Sequence, residues 1–300
     1  MTRVPRVDVL RTELVGLSRR LGDPAADLAI LGEGNTSADL GDGSFLVKAS
    51  GASLARAGDA DFVRVDRASI LRLIEDTSLD EHDVAGLGVR LRASVDAPAG
   101  APAPKPPSIE AMLHALALEL AGAAYVGHTH PTAVNTLLCS DRAEELVAGP
   151  LFPDQVVVCG RHALLVPYAE PGLPLGRAVR DGLRSHLDRH GAPPKLIYLG
   201  NHGIVALGAS AAEVLQVTEM SVKAARVLHG VLAVGQPAHL PVASADRLDR
   251  RPDEIHRRRV LAAQDASAAQ DAPASPDRDV DGGTDAGGAG GAGDGNGDRR

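Results

Sequence analysis

Val7, Leu10, Leu14, Leu17 and Leu21 recur at three- and four-residue intervals, and Gly22 follows them. That spacing lays one apolar stripe along a helix and stops it at the glycine. From residue 28 to residue 42 the chain turns polar and rich in Gly, Asn, Thr and Ser, which reads as turns and loops between short strands. Residues 44–49 read as a strand, with Phe45 and Val47 on one side and Leu46 and Lys48 on the other. Residues 67–75 read as a short helix. Residues 96–107 hold five prolines and no period, so a loop is expected. Ser108 is a suitable N-cap for a helix running to about Ala121. A strand over 124–128 follows, and Pro131 stands where a helix can begin. Residues 155–158 and 164–166 read as strands, 175–190 as a helix, and 195–199 and 204–207 as strands. Residues 211–234 form a long helix that gathers Val214, Val217, Met220, Ala224, Val227 and Val231 on one face. Helices and short strands alternate throughout, so the class is α/β or α+β.

The pattern ends near residue 262. Residues 263–300 are dominated by Ala, Gly and Asp, with Val280 as the only large aliphatic side chain. Such a segment buries too little surface to offset its ordering entropy, so a domain over 1–262 and a disordered tail over 263–300 are expected. The tail carries eight Asp and three Arg, so −5 of the net −8 lies there and the remainder is near neutral. No basic footprint for nucleic acid is present, and aromatics at 2% leave few rings for base stacking. The core must be built from Ala, Val and Leu. Two cysteines in 300 residues make no disulfide framework and suit a reduced, cytoplasmic compartment. No apolar segment follows the first residues and no run approaches a membrane span, so neither a signal peptide nor a membrane partner is expected.

The chemistry gathers around histidine. His128-Thr129-His130 is entered through the β-prone Ala124-Tyr125-Val126-Gly127. Residues i and i+2 of a strand point to one side, so two imidazoles can grip one cation. A third histidine from a distant segment, with Asn201-His202-Gly203 the place to look, completes a facial site with open positions. That is the layout of a catalytic centre, not a closed structural one. A lone histidine is more often structural than a ligand; the pair shifts that balance. Glu110, eighteen residues before His128, is the carboxylate to place at such a metal. Its ordinary explanation is a first-turn glutamate favoured by the helix dipole. His114, one turn later, reads as a structural side chain. Gly34-Asn35-Thr36-Ser37 and Lys48-Ala49-Ser50-Gly51 are polar, glycine-bearing turns of a kind that can hold an anion, although plain turns look the same in sequence.

Taken in order, six segments resemble the class II aldolase/adducin family. They are Gly34-Asn35-Thr36-Ser37; Lys48-Ala49-Ser50-Gly51; Pro107-Ser108-Ile109-Glu110 with His114; His128-Thr129-His130; Val166-Pro167-Tyr168; and Asn201-His202-Gly203. Within the family they are most similar to the aldolase domain of rhamnulose-phosphate aldolase/dehydrogenase fusions. The resemblance implies a three-layer α/β/α sandwich around a mainly antiparallel sheet. It implies a divalent metal, usually Zn2+, on His128, His130 and His202, with Glu110 ligating at rest and moving the proton during catalysis. It places Gly34, Asn35, Ser50, Gly51 and Ser108 around the phosphate of a sugar phosphate, where Lys48 of the second polar turn adds a charge, and it implies a homotetramer. The activity it implies is carbon–carbon cleavage or formation in a ketose phosphate. A dehydratase, decarboxylase or 4-epimerase on the same fold, or a non-catalytic scaffold, are the other readings. Two departures bear on them. Ile109 replaces a serine of fuculose-phosphate aldolases, and residues 147–159 lack the tyrosine those enzymes use.

Overall fold

The computed structural model describes residues 6–96 and 103–251, with Asp253 and Val260. The tail expected to be disordered, residues 263–300, lies outside the described residues. Seven strands form one sheet: β1 (Asn35–Asp39), β2 (Ser44–Lys48), β3 (Phe62–Asp66), β4 (Tyr125–Thr129), β5 (Leu164–Val166), β6 (Leu196–Leu199) and β7 (Gly203–Gly208). Their order is β3-β2-β1-β4-β7-β6-β5, and every neighbouring pair is antiparallel except β5 with β6. That one parallel pair needs a crossover, which α7 (Leu173–His190) supplies.

Helices cover both faces. α1 (Arg6–Leu21), α5 (Thr132–Leu138), α6 (Pro153–Cys159) and α8 (Ala211–Val234) lie on one. α2 (Arg67–Glu75), α3 (Val84–Ala93), α4 (Ala111–Leu120) and α7 lie on the other, and α9 (Val242–Arg250) packs against α6. The strands feed two cores by alternation. In β6, Leu196 and Tyr198 join the first core, while Ile197 and Leu199 join the second. Strands buried on both sides read as continuous apolar runs in sequence. The fold is thus the expected three-layer α/β/α sandwich with a mainly antiparallel sheet. Among the described residues, no helix is long and apolar enough to cross a membrane.

Some expectations are corrected. Residues 155–158 form helix, not strand, as part of α6. Three successive valines give no period, and helix or strand is then decided by context. Pro153 at the first helical turn and the Leu151 N–H donating to Gln155 Oε1 start the helix, and Cys159 buries beneath α8 with its thiol on Val217 O. The N-cap of α4 is Glu110, not Ser108. Residues 35–39, within the span read as turns, form the strand β1. β3, α3 and α9 are additional elements; two glycines inside α3 weaken its helical signal.

Candidate metal centre

The centre forms where β4 ends between β1 and β7. His128 lies opposite Asn35 of β1 and opposite Val205 of β7. His202 sits in the tight β6–β7 turn, where Asn201 adopts a left-handed φ of 52°. Asn135 of α5 holds this turn by donating to the carbonyl of His202 at 2.9 Å. Gly203 follows because nothing larger fits: a Cβ there would stand 2.4 Å from Thr129 O and 2.7 Å from the His130 ring. Gly34 is equally constrained, with a φ of 69° and the His128 carbonyl 2.6 Å from where its Cβ would be. Both glycines let backbone pass against the histidine strand.

His128, His130 and His202 each offer a ligand atom, and these atoms lie within 4.8 Å of one another. Their ring centroids form a near-equilateral triangle with sides of 4.8, 5.0 and 4.9 Å. His128 Nδ1–H donates to Ile204 O at 2.8 Å, so its Nε2 lone pair faces inward. That atom lies 3.0 Å from His130 Nε2, a separation at which two ring nitrogens must share a proton or a cation. Glu110 aims Oε1 into the same space, 3.0 Å from His202 Nε2 and 3.4 Å from His128 Nε2. Three imidazoles and one carboxylate are the donor set of a borderline divalent cation, and the arrangement fits one. Glu33 stands behind His130, with Oε1 3.6 Å from Nδ1.

The electrostatics follow from burial and pairing. Burial works against the charge on Glu110, but the imidazoles of His128 and His202 outweigh it and hold the carboxyl far below the usual carboxylate range. Burial also disfavours charge on His128, where the Glu110 carboxylate prevails and raises its affinity for a proton. At His130 the pull of Glu110 is outweighed: burial and the neighbouring His128 and His202 lower its pKa to about 3. It is therefore neutral, the ligating form.

The residues expected around a phosphate converge beside this centre. Ala49 bridges to Pro107, the Ser50 N–H donates to Pro106 O at 2.9 Å, and the Ser108 N–H donates to Lys48 O at 3.1 Å. Asn35 Nδ2 reaches Ser108 Oγ at 3.2 Å and Glu110 Oε2 at 2.7 Å. Gly34, Asn35, Lys48, Ser50, Gly51 and Ser108 thus come from three segments to one end of the sheet. Several are engaged with the protein itself. Lys48 is buried, its ammonium donates to Ala52 O, and burial lowers its pKa against the pull of Glu110 and Asp61. Among the described residues, the Ser50 hydroxyl and Gly51 N–H have no hydrogen bond within the protein and remain on the surface.

None of the three tyrosines is an obvious acid. Tyr125 donates to Glu13, Tyr198 is in the core with its phenol pushed up by burial, and Tyr168 is exposed. Reading the sequence alone misses Ser37, Glu33 and Asn135, which are tied to the site's residues by hydrogen bond or ion pair. It also leaves His114 as a structural side chain. The i, i+2 relation of Asn35 and Ser37 and the i, i+4 relation of Glu110 and His114 were the available signals.

Fold and donor set together define a class II aldolase-like domain. The chain belongs to the family described as class II aldolase and adducin N-terminal domain, which matches residues 12–229. One curated relative is "Uncharacterized oxidoreductase YuxG" of Bacillus subtilis (strain 168), 27% identical over 112 residues. The match covers 37% of this chain and 14% of that protein. Among solved structures, YgbL from Klebsiella pneumoniae is 20% identical with a TM-score of 0.60, covering 81% of this chain and 98% of its own. The N-terminal class II aldolase domain of a conserved protein from Thermoplasma acidophilum is 22% identical with a TM-score of 0.55, covering 72% and 92%. L-fuculose 1-phosphate aldolase from Glaciozyma antarctica PI12 is 13% identical with a TM-score of 0.57, covering 89% and 95%. At these identities the likeness speaks for the fold.

Proposed function

We infer that this protein is a divalent-metal-dependent lyase that cleaves or forms a carbon–carbon bond in a ketose phosphate. The observation that carries the reading is Glu110 Oε1, poised between His202 and His128 at the mouth of an intact three-histidine set. A scaffold has no use for such a set. Zn2+ is the cation these donors suit best, with His128, His130 and His202 as ligands. When bound, it supplies Lewis-acid stabilisation of the enediolate charge. Glu110 takes the proton from the hydroxyl beside the bond to be broken. The C–C electron pair passes to the carbonyl, an aldehyde leaves, and Glu110 returns the proton to carbon. Beside a bound cation the carboxylate would be a weak base, so in this reading Glu110 accepts a proton on turning away from it. Ser50 and Gly51, with Gly34, Asn35, Lys48 and Ser108 shaping the loop, bind the phosphate and fix the sugar relative to Glu110.

The protein works as a cytoplasmic homo-oligomer, a tetramer on the family's pattern, with a small sugar phosphate as its partner and neither nucleic acid nor membrane. A dehydratase, decarboxylase or 4-epimerase reaction is the second reading. The lack of a tyrosine over residues 147–159 favours it, since Glu110 must then serve both the hydroxyl and the carbon with no second acid–base side chain assigned beside it. A panel of ketose 1-phosphates, assayed for dihydroxyacetone phosphate with and without chelator, tests the first reading. Substrate consumption without that product would replace it with the second.

A further inference from the structure

His114 is fully buried in α4, one turn after Glu110, and its two ring nitrogens face β1. Asn35 and Ser37, two residues apart on that strand, meet it there. Nδ1 lies 2.7 Å from Ser37 Oγ, and Nε2 is in contact with Asn35 Oδ1. The direction of every bond in this array follows from its far end. An ionised Glu110 only accepts, so Asn35 must present its amide nitrogen to Oε2, 2.7 Å away. Asn35 Oδ1 then points to His114, whose Nε2 must carry the proton. Nδ1 is left as an acceptor, and Ser37 Oγ–H fills it. Burial pushes the His114 pKa down to about 3, in keeping with this neutral tautomer. Turning the Asn35 amide over would set its oxygen against the Glu110 carboxylate, whichever tautomer His114 took. The second Asn35 N–H goes to Ser108 Oγ at 3.2 Å, and that oxygen also accepts the Glu110 N–H at 3.3 Å.

The two oxygens of Glu110 are therefore not equivalent. Oε2 is tied to Asn35, whereas Oε1 alone faces His202 and His128. We propose that His114 is a positioning residue: by locking the Asn35 amide it tethers Oε2 and leaves Oε1 as the atom offered to the three-histidine set and to the proton. This rests on the lyase reading for its kinetic consequence, though not for its geometry.

The test uses the full-length protein loaded with Co2+, whose visible absorption reports the ligands around the ion. His114→Phe keeps a ring in the buried space and removes both bonds. His114→Gln restores a donor near the Nε2 position. The Phe variant should keep one ion per subunit, show an altered Co2+ spectrum, and lose kcat by ~10–100-fold, the usual effect of removing an outer partner of a metal site, with KM little changed. The Gln variant should recover much of both. Ser37→Ala, a milder change, should move the spectrum the same way by less, and it carries the test if the Phe variant does not fold. A folded Phe variant with the wild-type spectrum and kcat would overturn the proposal, as would a Gln variant no better than Phe. If the wild-type protein turns over no ketose phosphate, the lyase reading falls while the Co2+ spectra still decide the tether.

Discussion

Glu110→Gln removes charge and basicity while nearly preserving shape, and the structure dictates how the new amide must sit. Asn35 Nδ2 is a donor, so it selects the Gln carbonyl, which takes the place of Oε2 at 2.7 Å. The NH2 group then falls where Oε1 was, 3.0 Å from His202 Nε2 and 3.4 Å from His128 Nε2. An amide nitrogen has no lone pair for a cation and donates to an imidazole, so it competes mildly with metal at the three histidines. The expected result is metal binding weakened by ~10–100-fold but complete at saturation. Turnover should fall further, by ~10²–10⁴, which at ~1.36 kcal/mol per decade is about 3–5 kcal/mol of lost transition-state stabilisation. The assay is retro-aldol turnover at saturating Zn2+, with substrate affinity measured separately by calorimetry. Reduced kcat with unchanged substrate affinity supports the proton-transfer role. Near-wild-type turnover in the metal-saturated variant would refute it and return Glu110 to a helix-start carboxylate.

Three further outcomes are expected. His128→Ala/His202→Ala should abolish stoichiometric zinc measured by elemental analysis; a full equivalent of metal in the double variant would remove the assignment. Truncation after Ala262 should leave activity and oligomeric state intact by kinetics and light scattering, because the deleted residues hold Val280 as their only large aliphatic side chain; loss of assembly would contradict it. The buried, neutral His114 has a folded pKa of about 3 against an ordinary value of 6.5. Below pH 6.5 the unfolded chain therefore binds a proton that the folded chain refuses, and stability falls as pH drops from 6.5 towards 3. At roughly 1.4 kcal/mol per unit this amounts to a few kcal/mol. His114→Gln should flatten that part of the pH–stability curve in chemical denaturation, and an unchanged slope would count against a neutral His114.

What the sequence by itself determined is the chemistry that is local or periodic. The i, i+2 spacing of His128 and His130 follows from strand geometry, and the stripe on α8 follows from helix geometry, so both are legible in the order of residues alone. The order of six motifs identified the family, and with it the three-layer fold. Continuous apolar stretches were harder. Residues 155–158 read as strand because valine favours strands in general, yet Pro153 and burial under α8 make them helix.

Only the tertiary structure decided which distant residues meet. Asn35, Glu110 and His202 span more than half the chain; pairing of β1, β4 and β7 brings Asn35 and His202 to one point, and Glu110 at the start of α4 meets both there. The anion loop looked free in sequence, but Lys48, Asn35 and the Ser50 N–H already have partners within the protein. His114 looked like packing and proved to be the middle of a hydrogen-bonded array. The physical reason is that hydrogen bonds are short and directional. Residue type shows what a group can donate or accept, while only the packed chain fixes which partner stands within about 3 Å and which oxygen of a carboxylate stays free.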